Sequence, residues 1–372
     1  MSISVGMVGL GAFGSHFIKP VIDHPEVSRV ALCDLDPEKL ADKAREFDIS
    51  ECYGSLDEML STDIDAVMII TQPWLHAPQA IQAMNAGKHA YTAVPIITSP
   101  TGDGDFILDW CDKLVEAAGR TGMNYMMGET TCYRAESIYC RRRAQAGDFG
   151  HFCYAEGHYF HDMEHNLYNV AKWRWGDKWT DRKRGNVPMH YPTHSTGGII
   201  NITGAHVTEV SAMGYTMPDE NWFLEDTDSG NTMSDMVALY RMSNGMIMRH
   251  CEFRRIGTPG LETFRLYGTA GSFERNFNGS VWLTLDGHED VDLSEVSDPL
   301  PEALAAEKGG HGGSHSYLVH EFVSSIVEAR QPLVNAWEAA RYVAPGVMAY
   351  KSILKDGETL TVPDWGTAAN GG

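Results

Sequence analysis

Short, unbroken apolar runs recur through the first third of the chain, at Val5–Val8, Val27–Cys33, Ala66–Thr71, His89–Thr92 and Asn124–Gly128. Such runs, without polar alternation, are the pattern of strands buried on both faces of a parallel sheet. Between them, Ser15–Asp23, Gln79–Ala86 and Phe106–Arg120 have helical character, and Gly87 stops the second of these. Strands alternating with helices over residues 1–125 predict a doubly wound βαβ domain. Past residue 126 the period changes. Phe152–His161, Val207–Tyr215, Asp235–Met242, Met246–Phe253, Thr263–Tyr267 and Val281–Leu285 alternate as antiparallel strands do. A second domain over 126–372 is therefore expected, with an open, mainly antiparallel sheet covered by helices on one face. His315–Ala329 and Glu338–Leu354 predict closing helices, the second bent at Pro345, that pack back on the first domain. Gly309–Gly313 reads as a loop.

The first strand runs straight into Gly9-Leu10-Gly11-Ala12-Phe13-Gly14, a G-x-G-x-x-G turn, and the second ends at Asp34. In this strand–turn–helix context the motif points to a dinucleotide. Gly9 permits the tight turn, Gly11 lets the backbone approach a pyrophosphate, and Gly14 lets the helix pack on the strand. Asp34 is placed to accept hydrogen bonds from the adenosine ribose, and its charge repels a 2′-phosphate, so NAD is favoured over NADP.

Composition narrows the classes of partner. The 372 residues carry 50 acidic against 29 basic side chains, a formal charge of -21, which argues against nucleic acid and anionic membranes as partners. The apolar runs are too short to span a bilayer and no secretory signal pattern opens the chain. Seven scattered cysteines without a C-x-x-C fit free thiols in a reducing cytoplasm, and no metal-ligand spacing stands out.

Nearly the whole chain resembles the Gfo/Idh/MocA family of NAD(P)-dependent sugar oxidoreductases. The resemblance rests on the Gly9–Gly14 loop, on Thr71-Gln72-Pro73-Trp74-Leu75-His76, on Ala86-Gly87-Lys88-His89, and on His320-Glu321-Phe322 through Arg330-Gln331-Pro332. It implies an α/β fold, an N-terminal Rossmann domain followed by a domain with an open sheet, and a homo-dimer or homo-tetramer. It also implies cofactor contacts at Gly9, Leu10, Gly11, Ala12, Phe13, Gly14, Asp34, Thr71, Gln72, Pro73, His76, Val94 and Pro95. Two departures separate this chain from the family's dehydrogenases. Where they carry Glu-Lys-Pro it has Ala93-Val94-Pro95, and Ile202 stands where an Asp precedes the retained His206 by four residues.

Other polar groups cluster at Met127–Tyr133, Glu156–Asp162 and Asn186–Gly197. These segments resemble the NAD-dependent, redox-neutral glycoside hydrolases of the same superfamily, which include α-N-acetylgalactosaminidases and sulfoquinovosidases. The resemblance carries over to Glu129, to Tyr159 and His161, and to Tyr191 and His194, although Thr130 replaces the Asn of the first motif and Ala93 an acid. It implies transient oxidation of sugar carbon 3 with NAD, loss of the now acidic proton at carbon 2, elimination of the aglycone, addition of water and re-reduction. Each step needs proton transfer near neutrality, which tuned Tyr and His side chains supply. Tyr159 is the leading candidate for the carbon-2 base, with His161 and His194 as donors or relays, and Tyr191 and Glu129 positioning hydroxyls.

Lys172–Arg184 holds six bases and three tryptophans in thirteen residues. Trp173, Trp175 and Trp179 suit sugar C–H faces, and Lys172 and Arg174 suit an anionic substituent, which makes a sulfoquinovoside the most specific expectation. A solvated loop or a subunit interface fits the same composition. Arg254-Arg255 has the look of exposed bases at a strand end. Two other readings stand beside the glycosidase: an NAD-dependent sugar or polyol dehydrogenase, and a nucleotide-binding regulator without turnover.

Overall fold

The computed structural model describes residues 2–218, 221–258, 260–305 and 313–368. Residues 309–312 of the Gly309–Gly313 loop lie outside them. The first sheet has six parallel strands: β1 (Ile3–Val8), β2 (Val27–Cys33), β3 (Cys52–Tyr53), β4 (Ala66–Ile69), β5 (His89–Ala93) and β6 (Tyr125–Gly128), in the order β3-β2-β1-β4-β5-β6. Every residue of β1 and β4 is buried, as the unbroken apolar runs predict. The helices on its faces start earlier than the periodicity suggests, at Ala12–Ile22, His76–Asn85 and Gly104–Thr121. Asp103 caps the last through the Asp105 N–H, and Gly122 ends it in a left-handed turn.

The second sheet has nine strands: β7 (Phe152–Phe160), β8 (Val207–Tyr215), β9 (Asp235–Met242), β10 (Ile247–Phe253), β11 (Leu261–Gly268), β12 (Ser272–Asn276), β13 (Gly279–Thr284), β14 (Gly287–Val291) and β15 (Leu360–Thr361). Their order is β14-β13-β12-β11-β7-β10-β9-β8-β15, antiparallel except for the central pair β7 and β10. That parallel pair matters for the site, because its register sets Glu252 beside Tyr159, while β11 sets Glu262 on the other side. The helix Thr193–Thr203 packs across β7, β10 and β11. The closing helices Ser314–Val327 and Ala336–Ile353 pack on the first domain, against Ala12–Ile22 and Gly104–Thr121 respectively. The second runs on through Pro345 as one helix. No helix among the described residues is long and apolar enough to cross a membrane.

Candidate functional site

The glycine turn is built as its sequence requires. Gly9 has φ +89°, and a Cβ there would lie 2.5 Å from the Ile70 carbonyl oxygen; one at Gly14 would run into the Gly9 carbonyl. A Cβ at Gly11 would meet nothing within 4 Å. Gly11 therefore borders open space at the N-terminus of the helix Ala12–Ile22, the geometry a pyrophosphate needs. Asp34 binds the turn itself: its carboxylate accepts from Leu10 N at 2.8 Å and from Asp36 N at 2.9 Å. Behind the turn, His76 is buried, with Nδ1 2.7 Å from the Pro95 carbonyl and Nε2 3.2 Å from that of Thr71. Burial lowers its pKa to about 4, so the ring is neutral and its single N–H donates to one of these two carbonyls. The Thr71 hydroxyl is turned to Gln79, at 2.6 Å.

Two tyrosine–histidine pairs face each other at the end of β7. Tyr159 Oη lies 3.0 Å from His161 Nδ1, and His161 Nε2 lies 3.1 Å from the His165 carbonyl. A carbonyl only accepts, so Nε2 carries the proton, and in the neutral ring Nδ1 accepts from the Tyr159 hydroxyl. Burial lowers the His161 pKa and keeps the ring neutral. Burial raises that of Tyr159, against the Arg254 cation, so the resting side chain is a phenol.

The second pair has the opposite polarity. His194 Nδ1 is 2.9 Å from Glu129 Oε1, which also accepts from the Thr131 N–H and hydroxyl. His194 Nε2 is 3.1 Å from Tyr191 Oη. Burial works against the His194 imidazolium, but the Glu129 carboxylate outweighs it and holds the ring protonated above its ordinary range. The Tyr159 ring stands edge-on to His194, 5.5 Å between centroids, and 6.3 Å from Tyr191. Thus Glu129, Tyr159, His161, Tyr191 and His194, far apart in the chain, share one place.

Tyr159 and His161 line a cleft of about 300 Å³, together with His165, Arg134 and Glu262. Arg134 pairs with Glu262 across it. His206, by contrast, is turned to Asp364, 3.7 Å away.

The basic, Trp-rich segment forms a helix, Tyr168–Trp175, followed by short turns. Trp175 stacks on Trp74 of the Thr71–His76 segment, 4.0 Å between centroids, and Lys183 Nζ lies 4.5 Å from the centroid of the Trp175 ring. The Arg174 guanidinium lies 5.9 Å from the Tyr191 ring. Among the described residues Arg174 and Lys172 have no carboxylate partner within 4 Å, whereas Arg182 and Lys183 both pair with Asp228. Trp173 and Lys172 point to solvent, and Trp179 packs on Tyr168.

Arg254 corrects one reading of the sequence. It is 5% exposed, not a strand-end surface base, and its guanidinium covers the Tyr159 ring at 4.5 Å. Glu252 and Glu262 also escape the sequence reading, because only sheet register brings them to Tyr159, and Arg134 joins them through its pairing with Glu262.

Residues 3–129 match the family described as "Oxidoreductase family, NAD-binding Rossmann fold", and residues 293–370 match "Glycosyl hydrolase 109, C-terminal domain". The chain is 27% identical to a glycosyl hydrolase family 109 protein of Streptomyces filamentosus, over 98% of this chain and 77% of that one. It is 29% identical to one of Shewanella pealeana, over 98% and 85%. Among solved structures it resembles an oxidoreductase domain protein from Kribbella flavida (TM-score 0.78, 18% identity, 98% and 100% covered). It also resembles a levoglucosan dehydrogenase in complex with NADH and levoglucosan (TM-score 0.77, 20% identity, 98% and 100% covered). Those likenesses establish the fold.

Proposed function

From a chain that joins a Gfo/Idh/MocA NAD-binding Rossmann domain to a glycosyl hydrolase 109 C-terminal domain, we infer an NAD-dependent glycosidase that is redox-neutral over each turnover. The observation that carries the reading is the opposite polarity of the two tyrosine relays beside one cleft. The open face at Gly11 and the amide ends of the following helix fit the cofactor's pyrophosphate. Bound NAD supplies transient oxidation at sugar carbon 3, which acidifies the hydrogen on carbon 2.

The chain's own residues then move protons. Tyr159 takes the carbon-2 proton on Oη as its own proton passes to His161 Nδ1, and the electron pair stays on the sugar as an enolate. His161 becomes an imidazolium held by the His165 carbonyl. Tyr191, accepting from protonated His194 Nε2, turns its hydroxyl proton toward the aglycone oxygen, which leaves carbon 1 with the bonding pair. Addition of water runs the same relays in reverse. Such positioned acids and bases contribute roughly 10²–10⁴-fold each.

The substrate we propose is an anionic glycoside of sulfoquinovoside type. Arg174 beside Tyr191, without a carboxylate partner among the described residues, is the cation that would hold the anionic group. A neutral α-N-acetylgalactosaminide is the second reading, favoured by the pairing of Arg182 and Lys183 with Asp228, which removes two bases from any substrate role. A sugar or polyol dehydrogenase lacks support from Val94 and Ile202, which are apolar where that chemistry uses polar groups. Seven free cysteines suit a cytoplasmic setting. Exposed Met213, Tyr215 and Leu239 on β8 and β9 suit a homo-dimer or homo-tetramer. A panel of p-nitrophenyl glycosides, including the α-sulfoquinovoside and the α-N-acetylgalactosaminide, tests the reading with and without added NAD⁺. Nitrophenol release from the former at the higher kcat/KM is expected, and release from neither sinks the glycosidase.

A further inference from the structure

A buried ionic network lies under the site and takes no part in the relays. Glu252 is fully buried, and its Oε1 accepts from Ser195 Oγ at 2.6 Å and lies 2.8 Å from His250 Nε2. His250 Nδ1 in turn lies 2.7 Å from Tyr240 Oη. Glu252 Oε2 accepts from Arg254 at 2.6 Å. Arg254 donates to the Tyr159 carbonyl at 3.0 Å and lays its guanidinium on the Tyr159 ring at 4.5 Å. Ser195 follows His194 directly, so Glu252 ties the helix that carries one relay to the arginine that touches the other.

We propose that Arg254, locked by Glu252, is a positioning residue that fixes the Tyr159 ring and stabilises negative charge on its phenol oxygen as the proton leaves. The proposal rests on the proton-transfer role given to Tyr159 above. Its physical basis is the attraction of a desolvated cation for an aromatic face, an attraction that grows when the ring becomes a phenolate. The groups facing Tyr159 from every packed element make this specific. Glu252 on β10 and Glu262 on β11 flank it with negative charge, which disfavours a phenolate. Arg134 pairs with Glu262, and His194 stands edge-on to the ring beside Tyr191. His161 on its own strand end accepts its hydrogen bond. Arg254 is the cation laid on the face of the ring, at 4.5 Å, whereas the His194 imidazolium meets it edge-on. Its fork geometry lets it hold the carbonyl, the carboxylate and the ring at once, which a lysine does less rigidly.

The test places 3,5-difluorotyrosine at position 159 of the full chain, so that its ionisation falls where the protein stays folded, and follows the ¹⁹F shift against pH. Arg254→Met removes the charge and keeps most of the volume; Arg254→Lys keeps the charge. The midpoint is expected to rise by about one pH unit in Arg254→Met and to move by less than half as much in Arg254→Lys. Should Arg254→Met leave Glu252 too costly to bury, the pair Glu252→Gln with Arg254→Met removes both charges and is expected to show a smaller rise of the same sign. Equal midpoints in the folded variant and the unaltered chain overturn the assignment. The titration needs no turnover. An unmoved midpoint in a chain that still exchanges the carbon-2 hydrogen sinks the Arg254 role alone, whereas a moved midpoint without exchange sinks the function reading alone.

Discussion

His194 Nδ1 sits 2.9 Å from Oε1 of Glu129, a carboxylate with no exposure to solvent, and the two form a buried ion pair. Burial alone would strip the proton from His194, but Glu129 outweighs it and raises the folded pKa above the ordinary 6.5. Burial likewise disfavours the charged Glu129, but His194 and the Thr131 N–H outweigh it and lower the folded pKa below 4.5. The raised histidine adds stability in full below 6.5 and loses it as pH climbs through the folded value. The lowered carboxylate adds stability above 4.5 and loses it as pH falls through the folded value. The pair therefore contributes most between 4.5 and 6.5. Glu129→Gln should lower Tm most in that window, by the equivalent of about 3 kcal/mol, and less in alkaline buffer. Thermal unfolding across a pH series reads this; a Tm difference that ignores pH contradicts a charged pair.

Tyr159→Phe deletes one oxygen and keeps the ring under Arg254. The expected outcome is a fall in kcat of about 10²–10⁴-fold with NAD affinity unchanged, measured by steady-state kinetics and equilibrium titration. Retention of the original kcat would remove Tyr159 from the chemistry.

The glycines of the turn separate binding from folding. Gly14→Ala drives a methyl into the Gly9 carbonyl and should lower stability by about 2 kcal/mol or more. Gly11→Ala meets open space, so stability should change by less than about 1 kcal/mol while the NAD Kd rises roughly tenfold or more. Denaturant unfolding and calorimetric titration distinguish the two.

Arg174→Ala probes the substrate's charge. KM for an anionic glycoside should rise about tenfold or more with kcat little changed, and neutral glycosides should be indifferent. An equal loss on both would move Arg174 from recognition to packing.

What the chain discloses by itself follows the range of each interaction. The glycine turn and five of the six parallel strands are local patterns that emerge at nearly their observed bounds, whereas the two-residue β3 is too short to leave one. Tyr159 and His161 are two residues apart at a strand end, so their shared side is legible too. Glu252, Arg254 and Glu262 reach Tyr159 through strand pairing, and the parallel pairing of β7 with β10 has no local signature. The same limit hid the stacking of Trp175 on Trp74, which turns a basic segment into a bridge to the Thr71–His76 segment. The strand β14 has no local signature either, being almost wholly exposed and without the apolar alternation that marks a strand.

The central claim is that oxidation is transient and serves to remove the carbon-2 hydrogen. The most direct measurement is turnover of the cleaved glycoside in D₂O, with mass or NMR analysis of the released sugar alongside absorbance of NADH. The expected result is deuterium at carbon 2, one aglycone released per sugar, and no net NADH. Steady accumulation of NADH, or a released sugar with protium at carbon 2, would contradict it.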